Sequence, residues 1–252
     1  MAPVNRASLI IKTHKVLKKH FKPCPPHHDF SLLEQALFAA VLENAPPDAA
    51  EQVYAALSKQ FFDWNEVRVS TVRELCEVMS PIPDREAAAL RLKGILQSVF
   101  EAQYSFDLEI LKKQNIGVAL KKLEKYEGIT PFSLAFITQT ALGGHSIPMN
   151  EGALAALVVL GIVEESDAAK GRVPGLERAI AKNKVIEFGS LLHQLGVAFH
   201  ANPYASAVRQ ILLEINPDCK SRLPKRGAKK LKPSAEKPSA EKPSAASNPP
   251  ES

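Results

Sequence analysis

The sequence predicts an all-α fold. Apolar residues recur at helical spacing in one stretch after another, and N-capping signals stand at the head of several of them. No stretch alternates with period two between hairpin turns, so no sheet is predicted. Around ten helices with short connections pack as one or two helical lobes.

The elements follow in order. Leu9, Thr13, Val16, Leu17 and Phe21 form one stripe, with Lys12, Lys15, Lys18, Lys19 and Lys22 on other faces. Ser31-Leu-Leu-Glu34 is a capping-box start, followed by Leu33, Leu37 and Val41 at helical spacing. Asp48 to Phe62 continues with Val53, Leu57 and Phe61. Thr71 to Glu74 repeats the capping signal ahead of Leu75, Val78 and Met79. Arg85 to Tyr104 is a longer helix that turns Leu92, Ile95, Leu96 and Phe100 inward. Leu108 to Lys113, Val118 to Tyr126, Pro131 to Leu142 and Glu151 to Leu160 come next. Ile180 to Phe199, in pieces, and Ala205 to Ile215 complete the set.

Composition narrows the class. The chain has 252 residues, 45% of them hydrophobic, enough for one large or two small domains with a core. No uninterrupted apolar run has the roughly 18 residues of a spanning helix. The first residues show no apolar stretch ending in a cleavage site, so a protein of the cytoplasm or nucleoid is expected. Three cysteines, Cys24, Cys76 and Cys219, with no close pair, exclude a disulfide scaffold and a four-cysteine zinc site. The net charge of +5 is unevenly placed. Residues 220–252 hold nine Lys/Arg against three acids, leaving 23 basic and 24 acidic side chains in residues 1–219. From Lys232 the chain repeats Lys-Pro-Ser-Ala-Glu, without large apolar residues and with repeated prolines, which predicts a disordered basic tail. The expected organisation is a basic helix and Pro-rich linker over 1–27, a folded domain over 28–222 and the tail over 223–252.

The most informative passage runs from Val118 to Leu142. A helix ends at Tyr126, and Gly128 supplies the left-handed stop. Thr130 then suits an N-cap and Pro131 the first helical position. Such a turn directs backbone N–H groups outward and can hold a phosphate, aided by the second helix's dipole; a plain helix–helix connection is the commoner use. The second helix stops at Gly143-Gly144, and a loop leads to Asn150, placed as the N-cap of an apolar helix. Lys121, Lys122 and Lys125 flank the turn, with Lys121 and Lys125 expected on one face, as either a solvated surface or a track for a DNA backbone.

This order of parts resembles the helix-hairpin-helix DNA glycosylase superfamily, and endonuclease III in particular. Family members carry Leu-Pro-Gly-Val-Gly-x-Lys-Thr-Ala at the hairpin, a Val-Asp-Thr-His loop, then a helix ending Arg-Leu-Gly-Leu. Here Glu127-Gly-Ile-Thr-Pro-Phe-Ser-Leu134, Met149-Asn-Glu-Gly152 and Val159-Leu-Gly-Ile-Val163 stand at those places. Phe30 to Leu42 resembles the first core helix, and Phe188 to Gly196 the helix leading to the iron–sulfur loop. The resemblance spans about residues 28–222 and implies a two-lobed all-α fold that binds duplex DNA by its backbone, as a monomer.

It also implies lost chemistry. The family's nucleophilic Lys falls on Phe132, which cannot form a Schiff base, and its Asp falls on Asn150, which cannot carry the needed charge. No Asp lies between Asp107 and Asp167, so the loss survives a shift of register. Glu151 is misplaced by about 100° of helix to stand in for it. The cluster's four cysteines reduce to Cys219, so no cofactor is expected. No catalytic residue is therefore assigned, and the expected DNA contacts are Gly128, Ile129, Thr130, Lys121, Lys122 and Lys125. The function expected is DNA binding within the base-excision-repair superfamily without glycosylase or lyase activity. A divergent glycosylase and a protein-interaction scaffold are the alternatives. Cys24-Pro-Pro-His27-His28 reads as a linker with chance histidines, and His193 and His200 as ordinary polar positions.

Overall fold

The computed structural model describes residues 5–224. The expectation of a disordered tail falls on residues outside that range, apart from its first two.

Among the described residues every regular element is helical. In order they are α1 (Arg6–His20), α2 (Leu32–Leu42), α3 (Pro47–Gln60), α4 (Trp64–Val69), α5 (Val72–Val78), α6 (Arg85–Gln103) and α7 (Ile116–Leu123). Then come α8 (Pro131–Thr140), α9 (Glu151–Leu160), α10 (Glu165–Ala168), α11 (Leu176–Ala179), α12 (Val185–Ala201) and α13 (Ser206–Ile215). The all-α expectation is correct, and the capping signals sit where the sequence places them. Ser31 with Glu34, and Thr71 with Glu74, each form the reciprocal box. Thr130 accepts from the Ser133 N–H and Asn150 from the Ala153 N–H.

The differences are local. Leu108 to Lys113 forms a 3-10 turn over Glu109–Lys113 instead of an α-helix, a common way to close a short connection. The helix expected from Val118 to Tyr126 runs from Ile116 to Leu123, because Asn115 caps it early by accepting from the Gly117 N–H. The chain then tightens, with the Lys125 N–H bonded to the Lys122 carbonyl and the Tyr126 N–H to the Leu123 carbonyl. Lys125 thus leaves the helical face it was expected to share with Lys121. The helix expected from Ile180 begins at Val185, after a 3-10 turn over Lys182–Lys184. Helices α4, α10 and α11, of six, four and four residues, are too short to register as periodicity.

Two cores divide the molecule. One gathers α2 to α8 around Leu37, Val41, Leu57, Leu92, Ile95 and Phe132. The other gathers α1 and α9 to α13 around Leu17, Leu160, Phe188, Leu192 and Leu212. From α1 in the second lobe the chain crosses to build the first, and it returns through the loop after α8. Within the second lobe α9 and α12 touch backbone to backbone. A Cβ on Gly152 would meet the Gly196 carbonyl oxygen at 1.9 Å, so only glycine allows this approach.

Candidate nucleic-acid interface and the interlobe cleft

The hairpin lies flat along α6. Gly128 takes φ +86°, as its stop role requires, and a Cβ there would meet the Arg91 carbonyl oxygen at 2.2 Å. One turn along, a Cβ on Gly94 would meet the Glu127 carbonyl at 3.0 Å. Two bare backbones therefore seat the turn on the helix. The Glu127 N–H donates to Ser98 Oγ at 2.9 Å and the Ile129 N–H to the Tyr126 carbonyl at 3.2 Å. These two N–H groups are spent inside the protein, against the expectation that the turn presents them outward. Lys121, Lys122 and Lys125 stand exposed beside the turn.

Thr130 does more than cap α8. Its hydroxyl donates to Glu43 Oε2 at 3.1 Å, and Arg91 Nε lies 3.3 Å from the same oxygen. Glu43, just past the end of α2, is the carboxylate that sequence analysis missed. Burial pushes its carboxyl above the usual range, although Arg91 and the Thr130 hydrogen bond pull the other way.

The carbonyl end of α2 is where the lobes meet, and three helices close it. Arg91 of α6 donates to the Ala40 carbonyl through Nε at 3.2 Å and Nη2 at 3.0 Å. His193 Nε2 of α12 lies 2.9 Å from the Leu42 carbonyl. Since a carbonyl only accepts, Nε2 carries the proton. Asn150 Nδ2 donates to the Glu43 carbonyl at 3.0 Å while its Oδ1 caps α9 at 2.8 Å. Arg91 thus meets a helix-end carbonyl from within the first lobe, while His193 and Asn150 reach theirs across the lobe boundary.

Both positions that the resemblance marked as catalytic are buried in this boundary. Phe132 and Asn150 are each 1% exposed. The Phe132 ring lies 5.6 Å from the His193 ring and 6.2 Å from that of Phe136. His193 is a correction to its expected role as an ordinary polar position. Burial pushes its imidazole down to about 4, so it is neutral at pH 7. His200, by contrast, is exposed. Glu151, the first residue of α9, is exposed. A cavity of about 50 Å³ remains between the lobes, lined by Phe38, Leu42, Phe132, Phe136, Gln139 and His193. Ligand pockets typically have several hundred Å³, so this space holds a few waters and not a nucleobase.

The segment after α13 explains how the second lobe closes without a cluster. Cys219 is buried, with Sγ 3.6 Å from the Leu212 carbonyl. Cys24 lies before α2 and Cys76 on α5, so one thiol stands in this segment and the residues do not fit a four-cysteine cluster. In its place, Asn216 Nδ2 donates to the Leu160 carbonyl at 2.8 Å and Arg222 Nε to the Val159 carbonyl at 2.8 Å. Arg222, one of nine cations after residue 219, is therefore a structural cap of α9. The Cys24–His28 segment is a strap: His27 stacks on Phe30 at 4.2 Å and bonds Glu51 at 2.8 Å. Among the described residues no group of three or more His, Cys, Asp or Glu is arranged to hold a metal.

These features define an all-helical, two-lobed, endonuclease III-like fold. The chain superposes on a structure of a trapped endonuclease III–DNA covalent intermediate with a TM-score of 0.58. That match is 12% identical and covers 88% of this chain and 100% of the other. A thermostable thymine-DNA glycosylase matches with a TM-score of 0.51 at 12% identity, covering 76% and 85% of the two chains. No family model and no curated protein matches the sequence. The fold is shared at an identity too low to carry the active-site residues with it.

Proposed function

We propose that the protein binds duplex DNA through the phosphate backbone and does not excise bases by lysine–aspartate chemistry. The observation that carries this reading is Phe132, an apolar ring buried against His193 at the place of the family's amine nucleophile. Asn150 supports it, since both ends of its amide are committed to backbone groups. So does the cleft, whose 50 Å³ leaves no room for an extruded base. The contacts fall to Lys121, Lys122 and Lys125 beside the Gly128–Thr130 turn. With two hairpin N–H groups spent internally, side-chain charge carries more of the affinity than backbone donors do.

The test is incubation with duplexes holding abasic sites or oxidised bases, with borohydride present. Intact strands and no trapped adduct are expected, alongside a mobility shift that fades with salt. A trapped adduct would overturn the reading at once.

A further inference from the structure

We propose that the second lobe carries its own binding face for the duplex phosphate backbone, built by α1 and the turn before α12. It rests on the duplex-binding reading above but on different residues. Helix α1 has no acidic residue in its 15, and no acid precedes Asp29 in the sequence. Its apolar stripe, Leu9, Ile10, Thr13, Val16 and Leu17, is buried in the lobe's core, which forces its lysines outward.

Two carboxylates from the body fasten the helix, and each is matched by two side chains of α1. Glu187 meets His14 at 2.6 Å and Lys18 at 3.0 Å. Glu214 meets Lys19 at 2.7 Å and His20 at 2.8 Å. Those bonds fix the orientation of the helix and consume Lys18 and Lys19. They leave Lys12 and Lys15 exposed and outside any ion pair among the described residues.

The turn over Lys182–Lys184 adds Lys182 and Lys184, likewise exposed and outside any ion pair among the described residues, immediately before the helix that presents Glu187 to α1. Arg178 of α11, a helix that packs on α1, is exposed too. Five exposed cations outside any ion pair among the described residues therefore stand on mutually packed elements of one lobe, while the hairpin lysines belong to the other.

The geometry favours a duplex over a membrane. Lys12 and Lys15 stand three residues apart, about 4.5 Å along the helix. One DNA strand offers a phosphate about every 3.4 Å, so the pair matches neighbouring phosphates. A membrane-surface helix needs a free apolar face, and that of α1 is already buried, with Ile11 its one large exposed apolar residue.

The test uses the full chain and a random-sequence duplex across a salt series. A variant carrying Lys12→Gln, Lys15→Gln, Lys182→Gln and Lys184→Gln is compared with Lys121→Gln, Lys122→Gln, Lys125→Gln. Each triple or quadruple change should leave the thermal midpoint in place, since none of these lysines is in an ion pair among the described residues. The second-lobe variant should bind at least tenfold more weakly at low salt, with the log–log salt slope smaller by about 3. An unchanged slope in that variant, with weakened binding in the hairpin variant, sinks this proposal and keeps the hairpin reading. The reverse pattern sinks the hairpin assignment and keeps this one. Tighter binding to phosphatidylserine vesicles than to duplex, lost in the second-lobe variant, would reassign the face to a membrane and overturn the proposal.

Discussion

Asn150 joins the two lobes at a single point: its Nδ2 donates to the Glu43 carbonyl 107 residues away, at 3.0 Å. The same amide caps α9 through Oδ1, so one side chain ends one helix and begins another. Replacing it by alanine strips the cap and orphans a carbonyl in one step. Asn150→Ala is expected to cost about 2–3 kcal/mol, the sum of a cap and an unmet buried acceptor. For a chain of this size that is roughly 5–10 °C in thermal midpoint. A shift below about 1 °C would mean the bridge contributes nothing.

The Phe132 ring fills the lobe boundary instead of reaching for a sugar. Phe132→Ala should lower stability by about 3–5 kcal/mol, as for other fully buried aromatic rings. Duplex affinity of the folded fraction should stay within about twofold, because the ring is buried and touches no phosphate. Urea titration and anisotropy binding at low temperature separate the two effects. A large affinity loss without a stability loss would place the ring at the DNA.

How much of this was legible in the sequence depends on chain separation. Thr130 and Asn150 were readable as caps because each bonds an N–H three residues on. Gly128 was readable as a helix stop, and its φ of +86° agrees. What the sequence hid is what those residues do beyond their neighbours. Thr130 reaches Glu43 across 87 residues, and His193 reaches Leu42 across 151. No periodicity encodes such pairs. Gly94 has no signal in the sequence of α6, and only the packed hairpin shows that it is a contact surface. The lysines of α1 looked equivalent, yet partners from α12 and α13 consume two of them.

His193 makes stability depend on pH. Its folded value is about 4 against an ordinary 6.5, so between those limits the unfolded chain binds the extra proton. Stability from this group is therefore complete above about pH 6.5 and declines as pH falls toward 4. The full difference amounts to roughly 3 kcal/mol. Unfolding free energies measured from pH 7 to pH 4 should fall by that order. The carboxylates Glu187 and Glu214 have lowered values, so their share is lost below the ordinary carboxylate value, at the acid edge of this window. In His193→Phe the slope between pH 4.5 and 6.5 should flatten, although the variant starts less stable because the Leu42 carbonyl keeps the Ala45 N–H alone. A slope that persists would assign the titration elsewhere.

Glycine substitutions should sort by what each glycine touches. Gly152→Ala drives a methyl into the Gly196 carbonyl, 1.9 Å from where it would sit, and neither helix can yield without breaking the α9–α12 contact. Loss of more than about 4 kcal/mol, or failure to fold, is expected. Gly143→Ala meets nothing within 4 Å and carries only the strain of its φ of +63°. That costs about 1–2 kcal/mol. Equal effects at the two sites would show that conformation, not contact, governs both.

Residues 225–252 add seven Lys/Arg against three acids to a chain whose first 219 residues are nearly neutral. Charge that outweighs its own acids releases counterions from DNA wherever it contacts the backbone. Removing this segment should therefore weaken low-salt duplex binding and reduce the salt slope by roughly 3–4, one unit for each net charge lost. The thermal midpoint should not move, because Arg222, Leu223 and Pro224, which pack on the second lobe, are retained. Binding that survives the truncation unchanged would place all of the phosphate contacts on the folded domain, and the hairpin and α1 faces would then account for the whole slope.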